Sequence, residues 1–260
     1  MMHLSVVLLS VLIMTGNWLT GGSVPVHPNG SLDPLLSQPQ DQKSVYAFFG
    51  TLTKYQVGIA YSGPKWTAEM DDVAKQNRAY ISDLVNAKKL VGAGQVIDSK
   101  DLRWILFFQS DSLSEAQAIL AAAPAVKAGR FTSEVRQTWG TKGVGSKMAE
   151  AGKAEAMISG PKATHFLAVF KKGSKWSPEE NENTRKLIQN HITYVWKLYQ
   201  DGALKLYGAF EGPGDIRSFA VLQAKSLDAA KKILKDDPAL KANWVKLEYH
   251  TFEVSEGVLP

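Results

Sequence analysis

The chain repeats itself. Tyr55 to Trp66 reads YQVGIAYSGPKW, and His165 to Trp176 reads HFLAVFKKGSKW, an offset of 110. After a four-residue insertion the offset becomes 114 and holds without a gap from Asn77/His191 to Trp139/Glu253. Seventeen of those 63 aligned pairs are identical, among them Tyr80/Tyr194, Leu90/Leu204, Gly94/Gly208, Asp101/Asp215, Arg103/Arg217, Ser112/Ser226 and Pro124/Pro238. Self-similarity at a fixed spacing means one structural unit used twice, and it decides the fold before any local reading does.

Each copy reads alike. Tyr55–Tyr61 and His165–Phe170 are rich in β-branched and aromatic residues and run into Gly63 or Gly173, as strands do. Thr67 or Ser177 then opens a helix that runs to about Asn86 and Gln200; Ser177-Pro178-Glu179-Glu180 has a capping hydroxyl, a first-turn proline and acids. Leu90–Gly94 and Leu204–Gly208 are second strands, and Trp104–Gln109 and Phe219–Gln223 are third strands. Ser112 and Ser226 cap a second helix, and Phe131–Trp139 and Trp244–Glu253 close each copy. The order β-α-β-β-α-β, twice, predicts an α+β fold of two tandem ferredoxin-like domains, with helices on one face of each sheet. Burying the other face predicts that the copies pack sheet to sheet, as an internal pseudo-dimer in a monomer.

Outside the repeat, residues 4–14 (LSVVLLSVLIM) form an apolar run too short to span a bilayer but suited to a signal-peptide core. Small residues at 20–23 place cleavage near 22. The expected organisation is therefore a signal peptide (1–22), a flexible Pro-rich lead (23–42), a first domain (43–140), a Gly/Ala/Lys/Ser-rich linker (141–162) and a second domain (163–254). The mature chain is expected to be exported, periplasmic or extracellular, with no stable membrane insertion.

Composition excludes some chemistry. There is no cysteine, so disulfides, thiolate metal sites and cysteine nucleophiles are out. The net charge of +5 comes mostly from scattered lysines, with no run longer than two basic residues, which argues for a solvated surface and against a nucleic-acid face. His165 and His250 lack a second ligand at metal spacing, so no metal is expected. No phosphate-cradling glycine pattern is present, and no cofactor is expected.

The repeated units resemble the YciI-like (YCII-related) family of the dimeric α+β barrel superfamily. The resemblance rests on Gly63–Trp66 and Gly173–Trp176 ending the first strand, on His191 and Tyr194 in the first helix, and on Leu204 and Gly208 in the second strand. It rests also on Ser226-Leu227 with Ala230, and on Asp237-Pro238 with Lys241-Ala242. It covers about residues 54–140 and 163–254. It implies a barrel with a cleft beside the first helix and a His–Asp pair as acid–base machinery. It also implies lyase- or isomerase-type chemistry on a small organic acid or phenol.

The implied pair falls only in the second copy. His191 and Asp237 stand where the first copy has Asn77 and Ala123. Imidazole can exchange a proton near neutrality, and a carboxylate on its other nitrogen fixes the tautomer; amide and methyl can do neither. The plain reading of His191 is a partly buried helix residue, and of Asp237 a solvated helix end. Tyr194 either lines the cleft or is core, as Tyr80 would be. Arg217, with Asp215, is either a hairpin ion pair or an arginine for an anionic substrate. A small-molecule ligand is thus the expected partner, for an enzyme or for a non-catalytic binding or scaffold module.

Overall fold

The computed structural model describes residues 39–69, 71–150 and 156–260. The expected signal peptide and nearly all of the lead lie outside the described residues. The first half contains α1 (Pro39–Gly50), β1 (Leu52–Ser62), α2 (Asp72–Asn86), β2 (Leu90–Val96), β3 (Leu102–Phe108), α3 (Leu113–Ala122), α4 (Pro124–Lys127) and β4 (Phe131–Thr141). Two short helices follow, α5 (Ser146–Glu150) and α6 (Ala156–Ser159). The second half contains β5 (Lys162–Lys172), α7 (Glu182–Gln200), β6 (Leu204–Phe210), β7 (Ile216–Leu222), α8 (Leu227–Leu234), α9 (Pro238–Lys241) and β8 (Val245–Ser255).

The eight strands close one antiparallel barrel in the order β1-β3-β2-β8-β5-β7-β6-β4. The sequence suggested two sheets stacked face to face. The strands also join edge to edge, as the barrel implied by the resemblance requires, because an open edge strand leaves a row of unpaired N–H and C=O groups and closure removes it. The two seams are equivalent: Gly94↔Val254 and Val96↔Phe252 on one side correspond to Gly140↔Gly208 and Thr138↔Phe210 on the other.

The repeat extends to irregularities. Bulges fall at Ala60/Tyr61 and Phe170/Lys171, and again at Leu90/Gly92 and Leu204/Leu206. Gly63 and Gly173 both sit where a Cβ would lie about 2.3 or 2.2 Å from a carbonyl oxygen, of Gly129 and Asn243. Each instead donates its N–H to the next carbonyl, of Arg130 or Trp244. Close backbone approach is therefore the reason for glycine at both places.

Helix starts differ from the sequence reading. Ser177 does not cap α7; its hydroxyl accepts from Glu179 N in a local turn. The cap is Asn181, whose side chain accepts from Thr184 N at 3.0 Å while Thr184 Oγ1 accepts from Asn181 N at 2.9 Å. That reciprocal capping box satisfies two free donors, which outweighs the single Ser177 hydroxyl. Asp71 caps α2 in the same place of the first copy.

One apolar cluster fills the barrel, with Ile105, Phe107, Leu167, Val169, Phe219, Val221 and Phe252 from both halves. The segment expected as a slack linker is packed where it is described: Val144, Met148 and Met157 belong to that cluster. A second cluster lies outside the barrel under α7. Its partner is α1, an element the sequence reading did not identify: Val45, Phe48, Phe49 and Leu52 pack with Ile192, Val195 and Phe170 of the second half. No helix among the described residues is long and apolar enough to cross a membrane.

Candidate active site

His191 sits midway along α7, on the face turned to the sheet, and is buried. Asp237 precedes Pro238, and proline forbids it a helical conformation; its backbone is extended (φ −56, ψ 125). That leaves its side chain free to turn back. Oδ1 accepts from Ala239 N at 2.8 Å and Leu240 N at 3.4 Å, capping α9. Oδ2 lies 2.7 Å from His191 Nδ1. The carboxylate is fully buried, and a buried carboxylate is tolerable only with such donors. Asp237 is therefore no solvated helix end, and His191 is a buried helix residue rather than a partly buried one.

Because the carboxylate accepts, Nδ1 carries the ring proton. Nε2 is then the acceptor, and it lies 3.1 Å from the hydroxyl of Tyr207 on β6. Tyr207 therefore donates to His191, and its own oxygen is bonded by the Ser218 side chain. The result is a directional chain, Ser218–Tyr207–His191–Asp237. Burial, reinforced by the Asp237 charge, pushes the Tyr207 phenol well above the usual tyrosine range; Ser218 and Arg217 act in the opposite sense. At neutral pH it is a held proton donor. Phe170 packs edge-on to His191 (5.6 Å between centroids) and to Tyr207 (6.4 Å), fixing both rings.

His191, Tyr207 and Ser218 border a cavity of about 60 Å³. Its other walls are Phe48, Phe49 and Leu52 from the first half, Ile188 and Ile192 of α7, and Ala209, Arg217, Ala239, Trp244 and Val245. Arg217 donates to Gly212 O at 2.9 Å and lies over the Trp176 ring. It forms no ion pair with Asp215 within 4 Å, so the expected hairpin salt bridge is absent. The Asp215 carbonyl accepts from Lys172 N, matching Asp101 O and Ser62 N in the first copy. Recurrence of the aspartate is thus at least a backbone matter.

Tyr194 is not in the cavity wall. Its hydroxyl donates to Ile233 O, as Tyr80 donates to Ile119 O in the first copy, tying the two helices of each half together. Of the two readings of Tyr194, cleft and core, that bond accords with the core one. Tyr207 was missed because an aromatic in a strand reads as core. A usable signal existed: the pair Tyr207/Ser218 aligns with Ala93/Trp104, a reciprocal exchange of large and small side chains.

The first copy has dismantled the chain while keeping its structural part. Asn77 Oδ1 accepts from Ala125 N at 3.2 Å, the bond that Asp237 makes to Ala239. Asn77 thus supplies from the helix the cap that Ala123 cannot. No group of three histidines or acids that could hold a metal occurs among the described residues.

Residues 166–253 match the YCII-related domain family. No curated protein matches the chain. Similar solved structures include an arginine-to-lysine variant of chlorite dismutase from Candidatus Nitrospira defluvii, at 14% identity and TM-score 0.50, covering 84% of this chain and 96% of that one. The same enzyme in complex with imidazole matches at 15% identity and TM-score 0.50, over 84% and 96% of the two chains. At this identity the likeness concerns the α+β barrel fold alone. The family match falls within the second half of the chain.

Proposed function

We propose that this protein is an exported acid–base enzyme, of the lyase or isomerase type, acting on a small organic acid or phenol in the second half's cavity. The observation that carries this reading is the buried chain from Asp237 through His191 to Tyr207, which ends on the cavity. In the proton-abstracting direction, the Tyr207 oxygen takes a proton from the ligand as its own proton passes to His191 Nε2. Asp237 stabilises the imidazolium that forms. The reverse transfer delivers the proton to the product. His191 and Asp237 are the engine, and Tyr207 is the group that meets the ligand.

The organisation proposed with it is two copies of one ferredoxin-like unit, at 43–140 and 163–254, in a monomer that is its own pseudo-dimer. Export follows from the apolar run at 4–14, and N-terminal sequencing of the native protein should begin near Ser23.

A second reading is a non-catalytic ligand-binding module. Both ring nitrogens of His191 are engaged within the protein, which a structural histidine also shows. The deciding experiment is to select ligands by thermal shift and incubate each in D₂O with the protein. Proton abstraction predicts exchange at an acidic C–H or conversion of the ligand, lost in His191→Asn. Ligands that bind with neither exchange nor conversion would establish the binding module instead.

A further inference from the structure

The polar groups around the cavity are one-sided. Arg217 is half-buried and has no ion-pair partner among the described residues. Burial holds its pKa below the usual arginine value, the mark of a cation short of compensation. Arg136 stands close enough for the two guanidiniums to repel. Trp244 is about nine-tenths buried, and its indole N–H has no partner among the described residues. Such an orphaned donor costs free energy unless a ligand accepts from it. No aspartate or glutamate lines the cavity, and the nearby Asp237 charge is taken up by His191 and two backbone N–H groups. The remaining wall is aliphatic and phenyl apart from His191, Tyr207 and Ser218.

Size then selects among anions. A cavity that accepts benzene is roughly 150 Å³. This one is about 60 Å³, with Phe48 and Phe49 fixed against α7 and β6. Benzoate, with nine heavy atoms, does not fit without displacing them, whereas an unbranched acid of two to four carbons, with four to six heavy atoms, asks for less room.

We propose that the cavity is a site for a short aliphatic monocarboxylate, its carboxylate held by Arg217 and the Trp244 indole and its tail against Phe48, Phe49 and Leu52. The proposal takes the proton-transfer reading as its frame and names the ligand class of that same site. It narrows the class from acids and phenols in general to unbranched acids without a ring.

The test is binding, not turnover. Acetate, propionate, butyrate, benzoate and the neutral propionamide are titrated into the full-length protein and followed by tryptophan fluorescence and ligand-observed NMR. Propionate or butyrate should bind at least tenfold more tightly than propionamide and benzoate. Arg217→Gln should lose that preference, and Arg217→Lys should recover part of it. The first-copy counterpart, Arg103→Gln, should leave binding unchanged and serves as the control for losing one arginine. Proton exchange of the bound acid in D₂O is followed on the same samples, so that failure of proton transfer and failure of the anion site read out separately: binding without exchange still supports the anion site. Equal affinity for propionamide, undiminished affinity in Arg217→Gln, or benzoate binding as tightly as butyrate would overturn the proposal. If Arg217→Gln does not fold, the propionate–propionamide and butyrate–benzoate comparisons on the unaltered protein decide it alone.

Discussion

The first copy suggests how to take the second copy's polar chain apart without collapsing it. Asp237→Ala alone removes the cap on α9 and strips the acceptor from His191 Nδ1 in a buried site. Loss of the cap costs about 0.5–2 kcal/mol. The orphaned ring N–H costs about 1–3 kcal/mol more. A destabilisation of about 3–4 kcal/mol is expected, within the range for breaking a buried pair. His191→Asn alone leaves Asp237 with its two backbone donors and loses ring packing against Phe170, at about 1–3 kcal/mol. The double variant installs the first copy's solution. The new amide oxygen can reach Ala239 N, as Asn77 reaches Ala125 N at 3.2 Å. It leaves no imidazole to satisfy. The double variant should therefore be more stable than Asp237→Ala by about 1–2 kcal/mol, although it carries one more substitution. Equilibrium urea unfolding of the four proteins gives the cycle. Costs that add to within about 0.5 kcal/mol, or a double variant weaker than Asp237→Ala, would refute the argument that the two sites solve one capping problem in two ways.

Three further outcomes are expected. Burial lowers the His165 pKa, with Lys205 adding to the effect, so the unfolded chain binds this proton more readily than the folded one. Stability should then fall as pH drops through about 6.5 toward the depressed folded value, by up to about 1.4 kcal/mol per pH unit; His165→Tyr, the first copy's residue, should flatten that part of the profile, and an unchanged slope would exclude His165 as its source. Lys88 ends α2 at φ 57, where Gly202 ends α7 at φ 72; Lys88→Gly should stabilise by about 0.5–1 kcal/mol in urea unfolding, and a loss of stability would show that relief of backbone strain does not govern that position. A chain break between Glu150 and Ala156 should leave the halves co-eluting in gel filtration, since both barrel seams and the buried Val144, Met148 and Met157 span them; separation into stable monomeric halves would contradict it.

The sequence made the fold readable through repetition: each strand, seen twice, had two chances to reveal its pattern, and the strand order followed. What it concealed has physical causes. Closure of the barrel depends on edge pairing between Gly94 and Val254 and between Gly140 and Gly208, contacts more than 60 residues apart with no local trace. The start of α7 was misplaced because a serine before a proline looks like a cap, whereas the reciprocal bond of Asn181 and Thr184 is the stronger one. Helix α1 was missed because SVYAFF is a short apolar run after a Pro- and Gln-rich stretch, and only the second half's α7 gives it a partner. The His191–Asp237 asymmetry was legible because both members changed between copies. The link to Tyr207 was not, because an imidazole's second partner depends on which strand residue faces the helix.

That last dependence bears on why an altered first copy still matters to the site. Its own His and Asp counterparts are Asn77 and Ala123, and its Tyr counterpart is Ala93, so it cannot repeat the proton chain. Yet the cavity beside His191 is walled by Phe48 and Phe49 of α1 and by Leu52, which opens β1. Phe48 is packed against Trp196 at 5.9 Å and Tyr207 at 5.8 Å between ring centroids. Without that wall, Tyr207 would lose part of the burial that keeps its phenol protonated and held toward Nε2. The cavity would open to water, and a buried guanidinium is worth more to an anion than a hydrated one. The two copies therefore divide the site: one supplies the hydrogen-bonded Asp237, His191 and Tyr207, and the other supplies the wall that helps bury Tyr207 and limits the size of what can enter.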